Sequence, residues 1–148
     1  MNAVSRTLVT GLLFAASMFC LPAFSAGPDD MFQIRSTSKT PDAVAEEIKG
    51  YAEKKKWQFL GAQKVKMGEI TLVKVCIPEI GKQLWPLGPQ ISAMLPCGNI
   101  GIYLKDGKTE ISMLHARYMQ AIYPNPTVEK VSAELQPMLM EMLDAVTK

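Results

Sequence analysis

GNIGIYLKDGKTEISMLH, residues 98–115, decides how this chain folds. Apolar and polar side chains alternate on both sides of Asp106-Gly107. Asp-Gly between alternating segments predicts a two-residue type I′ hairpin, because both turn positions need a positive φ. That register sets Ile102 opposite Ile111, Ile100 opposite Met113 and Gly98 opposite His115. Ile100, Ile102, Ile111, Met113 and His115 then share one strand face, the expected core face.

Upstream, residues 57–66 and 69–77 read as two more strands, with Met67-Gly68 at the turn. The second, EITLVKVCI, is apolar on both faces, as an interior strand is. Pro78 ends it. Residues 79–94 are helical in pattern but interrupted by Pro86-Leu87-Gly88-Pro89, which predicts two short helices. Further upstream, residues 31–36 alternate as a half-buried strand. Thr40 then caps a helix that has Pro41 at its first position and runs to about Lys56. Its stripe is Val44, Ile48, Tyr51, Ala52 and Lys55. Downstream, Asn125 caps a last helix that starts at Pro126 and carries Val128, Val131, Leu135, Met138, Met142 and Val146 as its stripe. Met140 falls off that stripe. Pro137 should kink or divide the helix. Hairpins mixed with helices predict an α+β fold, a single domain with a mainly antiparallel sheet and helices packed on it.

The N-terminus reads differently. Residues 1–6 carry Arg6 and no acid, residues 7–24 are almost wholly apolar, and a polar run follows. That order is a secretory signal peptide. A membrane span is the weaker reading, because it needs about 20 apolar residues and this run holds Gly11, Ser17 and Pro22. The small-x-small pattern Ala23-Phe24-Ser25 places cleavage after Ser25, so residues 1–25 are leader and 26–148 the exported domain. Cys20 is a poor lipidation site, because bulky Phe19 precedes it. The expected compartment is the periplasm or the exterior, with no membrane span in the mature form.

About 120 residues then remain, enough for one core. Arg6 is the only charged side chain lost, so the formal charge of +2 drops by one. A nearly balanced charge offers no footprint for nucleic acid. Lys54-Lys55-Lys56 reads as a solvated helix end that complements the helix dipole.

Two short motifs carry a resemblance. Cys76-Ile77-Pro78 closes a strand, and Leu95-Pro96-Cys97 opens the hairpin that contains Asp106-Gly107. This order resembles the domain-of-unknown-function 302 family, which reads Cys-Asn-Pro, a helix, then Leu-Pro-Cys and a strand. The similarity covers about residues 31–146. Ile77 stands where the family usually has asparagine, so any role of that amide is absent here. The resemblance implies a compact α+β domain that could form a homodimer. It implies no established activity, and a fold alone would not supply one.

The candidate chemistry is sparse. Cys76 and Cys97 are the cysteines left after the leader. Such a pair in an oxidising compartment is compatible with one disulfide. They could equally be a redox pair, with one thiolate attacking and the other resolving, yet they lie 21 positions apart, unlike a Cys-x-x-Cys turn. A bridge needs both Cα atoms within about 7 Å. Parallel strands would forbid that, and a chain that doubles back at residues 86–89 would permit it. His115 is the only histidine. With Cys97 and Met113 it offers imidazole, thiolate and thioether, a set that suits copper(I) or another soft ligand. The bland alternative is a hydrogen-bonded strand-end histidine, with the methionines serving as core.

No catalytic residue is assigned. There is no Gly-x-Ser-x-Gly turn, zinc would need a fourth ligand, and Gly98-Asn99-Ile100-Gly101 opens a strand and not a phosphate-binding helix. Residues 85–89 and 118–126 are apolar and loop-like, and could frame a pocket or cap the core. The leading expectation is a non-catalytic exported binding domain with its site near Cys76, Cys97 and His115. Its ligand would be a soft metal, a cofactor, a small molecule or a partner protein. The alternatives are a thiol-disulfide redox protein or sensor, and a purely structural dimer module.

Overall fold

The Asp106-Gly107 turn forms with both residues left-handed, at φ 51° and 75°, as a type I′ hairpin requires. The computed structural model describes residues 28–94 and 99–148. Residues 1–27 and 95–98, including Cys97, lie outside the described residues.

In chain order, α1 (Pro28–Met31) leads into β1 (Phe32–Thr37), followed by α2 (Pro41–Lys54). Next come β2 (Gln58–Val65), β3 (Ile70–Cys76) and α3 (Pro78–Leu84). After two 3-10 turns, Trp85–Leu87 and Pro89–Met94, the chain forms β4 (Asn99–Lys105) and β5 (Lys108–Leu114). It closes with α4 (Tyr118–Ile122) and α5 (Pro126–Thr147).

The five strands make one sheet in the order β1-β5-β4-β3-β2, with every neighbouring pair antiparallel. This is the expected α+β architecture. Ile102 lies opposite Ile111, as the turn chemistry predicts. The antiparallel pairing of β3 with β4 decides the question left open by the sequence. Lys74 pairs with Asn99, so the end of β3 and the start of β4 lie at the same end of the sheet. The chain doubles back through α3 and the proline-rich 3-10 turns. Proline shortens these elements by removing donors that a longer helix would need.

The caps work as local chemistry predicts. The Ala43 N–H donates to Thr40 Oγ1 at 3.2 Å, and the Thr127 N–H donates to Asn125 Oδ1 at 2.9 Å. Helix α2 stops two residues earlier than predicted. Lys56 turns left-handed at φ 59°, and the Trp57 N–H donates back to the Ala52 carbonyl at 2.8 Å. That closes the helix C-terminus in the way a glycine usually does.

Helix α2 packs on β2, β3 and β4, while α5 packs on β1, α2, α3 and α4. The core lies between these helices and one sheet face. Val73, Val75, Ile100, Ile102, Ile111 and Met113 supply the sheet side. Val44, Ile48, Val131, Leu135, Met142 and Leu143 supply the helix side. The α5 stripe departs from expectation in its second half. Leu139 and Leu143 are buried there, while Met138 and Met140 sit at the margin. Lys55 is not part of the α2 stripe; its ammonium pairs with Glu141 at 2.8 Å.

Pro137 does not divide α5, which runs unbroken over 22 residues. A proline deprives the carbonyl four residues back of its donor. That carbonyl belongs to Ala133, which like Pro137 is exposed, so water can satisfy it. The other sheet face stays open. Phe32 and Leu114, paired across β1 and β5, are 45% and 42% exposed, and Ile34 is 45% exposed.

Candidate functional site

A cavity of about 480 Å³ lies where the ends of β3, β4 and β5 meet α5. Strand alternation aims Val75, Ile100 and Met113 into it as a floor. Leu135, Leu139 and Met142, spaced at helical periodicity on α5, form one wall. Helix α4 supplies Met119 and Ile122, and the second 3-10 turn supplies Ala93 and Met94. Most of these residues are buried. Ile122 and Leu114, at 67% and 42% exposed, mark the mouth with Ala93.

The lining has one chemical character. Among the described residues, every lining side chain is aliphatic or a methionine thioether. Such a surface offers dispersion and adaptability but no fixed hydrogen bonds to a ligand.

The residues singled out from the sequence fall around this cavity more than in it. Cys76 stands between two lining residues, Val75 and Ile77, but does not line the cavity. It is disulfide-bonded and carries no titrating thiol. Cys97 lies outside the described residues. Met113 lines the floor and is 7% exposed. His115 follows the end of β5 and is half-buried, flanked by the lining residues Leu114 and Ala116. Its N–H donates to the Met31 carbonyl at 2.9 Å, and its Nδ1 accepts from the Arg117 N–H at 3.1 Å. One ring nitrogen is therefore committed to a local turn. Among the described residues, no three His, Cys, Asp or Glu side chains gather as a metal site.

Of the two apolar segments expected to frame a pocket, residues 118–126 contribute through Met119 and Ile122. Tyr118–Ile122 is a short helix, not the loop that its composition suggested. No residue of the 85–89 segment lines the cavity, although Ala93 and Met94 just beyond it do. Sequence reasoning missed the cavity itself. The available signal was the density of methionines on predicted core faces (Met113 and Met142), which patterning alone assigns to packing.

Burial lowers the His115 pKa below the ordinary 6.5; the Arg117 charge lowers it further, and Asp30 opposes both. The sign follows from linkage. As pH falls below about 6.5 the unfolded chain takes up a proton that the folded ring resists, so stability falls. The loss levels off once the folded ring also protonates. Urea unfolding at pH 7 and at pH 5 should therefore show lower stability at pH 5, and His115→Gln should reduce that difference. An unchanged pH dependence in the variant would refute the assignment.

Comparisons with known proteins agree with this architecture. A family model described as "Domain of unknown function DUF302" matches residues 33–146. Among solved structures, the chain resembles one described as an uncharacterised conserved protein DUF302 from Bacillus stearothermophilus. The TM-score is 0.70 at 16% identity, over 80% of this chain and 98% of that one. None of the curated proteins matches the chain.

Proposed function

Since this chain belongs to the DUF302 family, whose description assigns no activity, we propose from its own geometry that it is a non-catalytic, exported binding domain that takes an apolar small molecule into the cavity against α5. The observation that carries this reading is the cavity: about 480 Å³, with an exposed apolar mouth and an apolar lining. Ligand pockets typically span about 300–1,000 Å³ and are mostly apolar.

Export rests on the leader pattern of residues 1–25. The Cys76–Cys97 bridge belongs to the same reading. Cys76 closes β3, and Lys74 pairs with Asn99 at the start of β4, which supports Cys97 as its partner in that reading. A bridge there would tie the end of β3 to the chain entering β4 and steady the cavity floor. It would also remove both thiolates from soft-metal binding, which makes copper(I) at Cys97, Met113 and His115 the less supported ligand. Pairing of two copies through the open sheet face would cover Phe32 and Ile34 together with Leu114 at the cavity mouth.

The test uses a neutral fluorescent probe, N-phenyl-1-naphthylamine. Saturable binding with enhanced emission is expected, with a rise in Tm as ligand binding shifts the folding equilibrium. Ala116→Leu fills space at the cavity wall and should weaken the probe's affinity about tenfold, since roughly 1.4 kcal/mol of lost burial is a factor of ten. Absence of saturable binding, or a variant that binds equally well, would overturn the reading.

A further inference from the structure

The cavity has an open end, a closed end and walls that can follow a flexible ligand. We propose that it takes the single alkyl chain of an amphiphile, tail inward against Leu135 and Met142, with the polar end left in solvent beyond Leu114 and Ile122. The site then selects for chain length and not for head group. This rests on the binding reading above and names the ligand class.

The direction of entry follows from exposure. Ile122 and Leu114 are exposed, whereas Leu135 and Met142 line the same cavity and are fully buried. A ligand that enters past the first pair reaches the second pair last.

The chain follows from the lining. Met94, Met113, Met119 and Met142 reach the cavity from four different elements: the second 3-10 turn, β5, α4 and α5. A methionine side chain has three rotatable bonds and fills irregular gaps. Four of them on separate elements make walls that can follow the bends of a chain. Among the described residues, no aromatic ring lines the cavity, so a planar ring system would find no stacking partner. A nucleotide or sugar would bury hydrogen-bonding groups that these side chains cannot pair, each at about a tenfold or greater loss of affinity. A methylene chain has no such group to satisfy.

The place of the head follows from the same chemistry. Among the described residues, no lining side chain, inside or at the mouth, carries a charge or a hydrogen-bond donor. The head therefore keeps its hydration outside, where salt screens its charge from the protein.

The experiment displaces N-phenyl-1-naphthylamine from the mature protein with alkyl chains of six to twelve carbons, below their micelle concentrations. Each chain carries a carboxylate, trimethylammonium or maltoside head. Affinity should rise about fourfold per added methylene, the equivalent of about 0.8 kcal/mol of burial. It should level off at one chain length common to the three heads, and heads on equal chains should differ by less than about threefold. Met142→Ala opens the closed end and should move the levelling-off point by about three chain atoms. Ile122→Ala, at the exposed mouth, should leave that point unchanged. The wild-type series carries the test by itself should Met142→Ala not fold. Affinity that does not grow with chain length, or a preference above about tenfold for one head at every length, would overturn the assignment while leaving the cavity reading intact. So would a folded Met142→Ala variant with an unchanged levelling-off point. If neither probe nor amphiphile binds, both readings fall together.

Discussion

Replacing Ile102 with alanine should destabilise the domain by about 2–5 kcal/mol, among the larger losses available to a single aliphatic truncation. Ile102 is fully buried at the middle of β4. It faces Ile111 on one neighbouring strand and Thr71 on the other, and both are buried. Three carbons removed there leave a hole walled by paired strands, which cannot shift without breaking their hydrogen-bond ladders. The loss therefore combines transfer free energy with a cavity term. Leu139 makes the useful comparison. It is also largely buried, but one side of it already faces the open cavity. It has fewer neighbours to lose, so Leu139→Ala should cost less than Ile102→Ala. Chemical denaturation of both variants checks the pair. A cost below about 1 kcal/mol for Ile102→Ala would contradict the core assignment. Equal costs would mean that the cavity wall is as tightly packed as the core.

Cys76→Ala should cost about 3 kcal/mol, from the loss of a cross-link that closes a loop of roughly twenty residues in the unfolded chain. If the partner is Cys97, Cys97→Ala should cost the same, and the double variant no more than either single one, because both changes delete one interaction. Wild-type protein should lose a similar amount of stability in reductant, and the variants should be indifferent to it. The chemical state is read directly from the intact mass of protein purified from the export compartment without reductant, alkylated after denaturation. No added alkyl group, with reactivity restored by reduction, is the expected result, and the same mass reports whether cleavage falls after Ser25. Two alkyl groups would refute the bridge and reopen thiolate ligation. A bridge whose reduction changes probe binding or cycles with a thiol partner would instead favour the redox alternative.

Much of the fold was written in local chemistry. Asp106-Gly107 imposes a two-residue turn because an Asp-Gly pair readily adopts two successive positive φ values. That turn fixes the Ile102–Ile111 register without reference to the rest of the protein. Thr40-Pro41 and Asn125-Pro126 place two helix starts by capping orphan N–H groups. The signals failed where several weak preferences compete. Helix α4 has no side-chain cap hydrogen bond and only five residues, so its helicity comes from packing against α5 and not from its composition. Pro137 reads as a break, yet the helix continues because the orphaned carbonyl faces solvent, a fact of orientation that no pattern states. Leu139 and Leu143 replace Met138 in the buried stripe because three- and four-residue steps are equally helical and only the neighbouring surface chooses between them.

The candidate site divides along the same line. Residue types at Cys76, Cys97, Met113 and His115 were legible, since each carries its chemistry wherever it lies. Their relation was not. Whether β3 and β4 run antiparallel depends on how the chain returns through the proline-rich turns, with both strands packed against α2. The cavity is more remote still from sequence. It is the space left between surfaces that each read as ordinary core, and its existence depends on how far apart a sheet and a helix come to rest. By itself the sequence determined the five strands, the two capped helices α2 and α5, the type I′ register and the donors available for binding. Tertiary structure decided which donors face one another and where the packing leaves room for a ligand, because volume between elements is a property of their arrangement and not of any one of them.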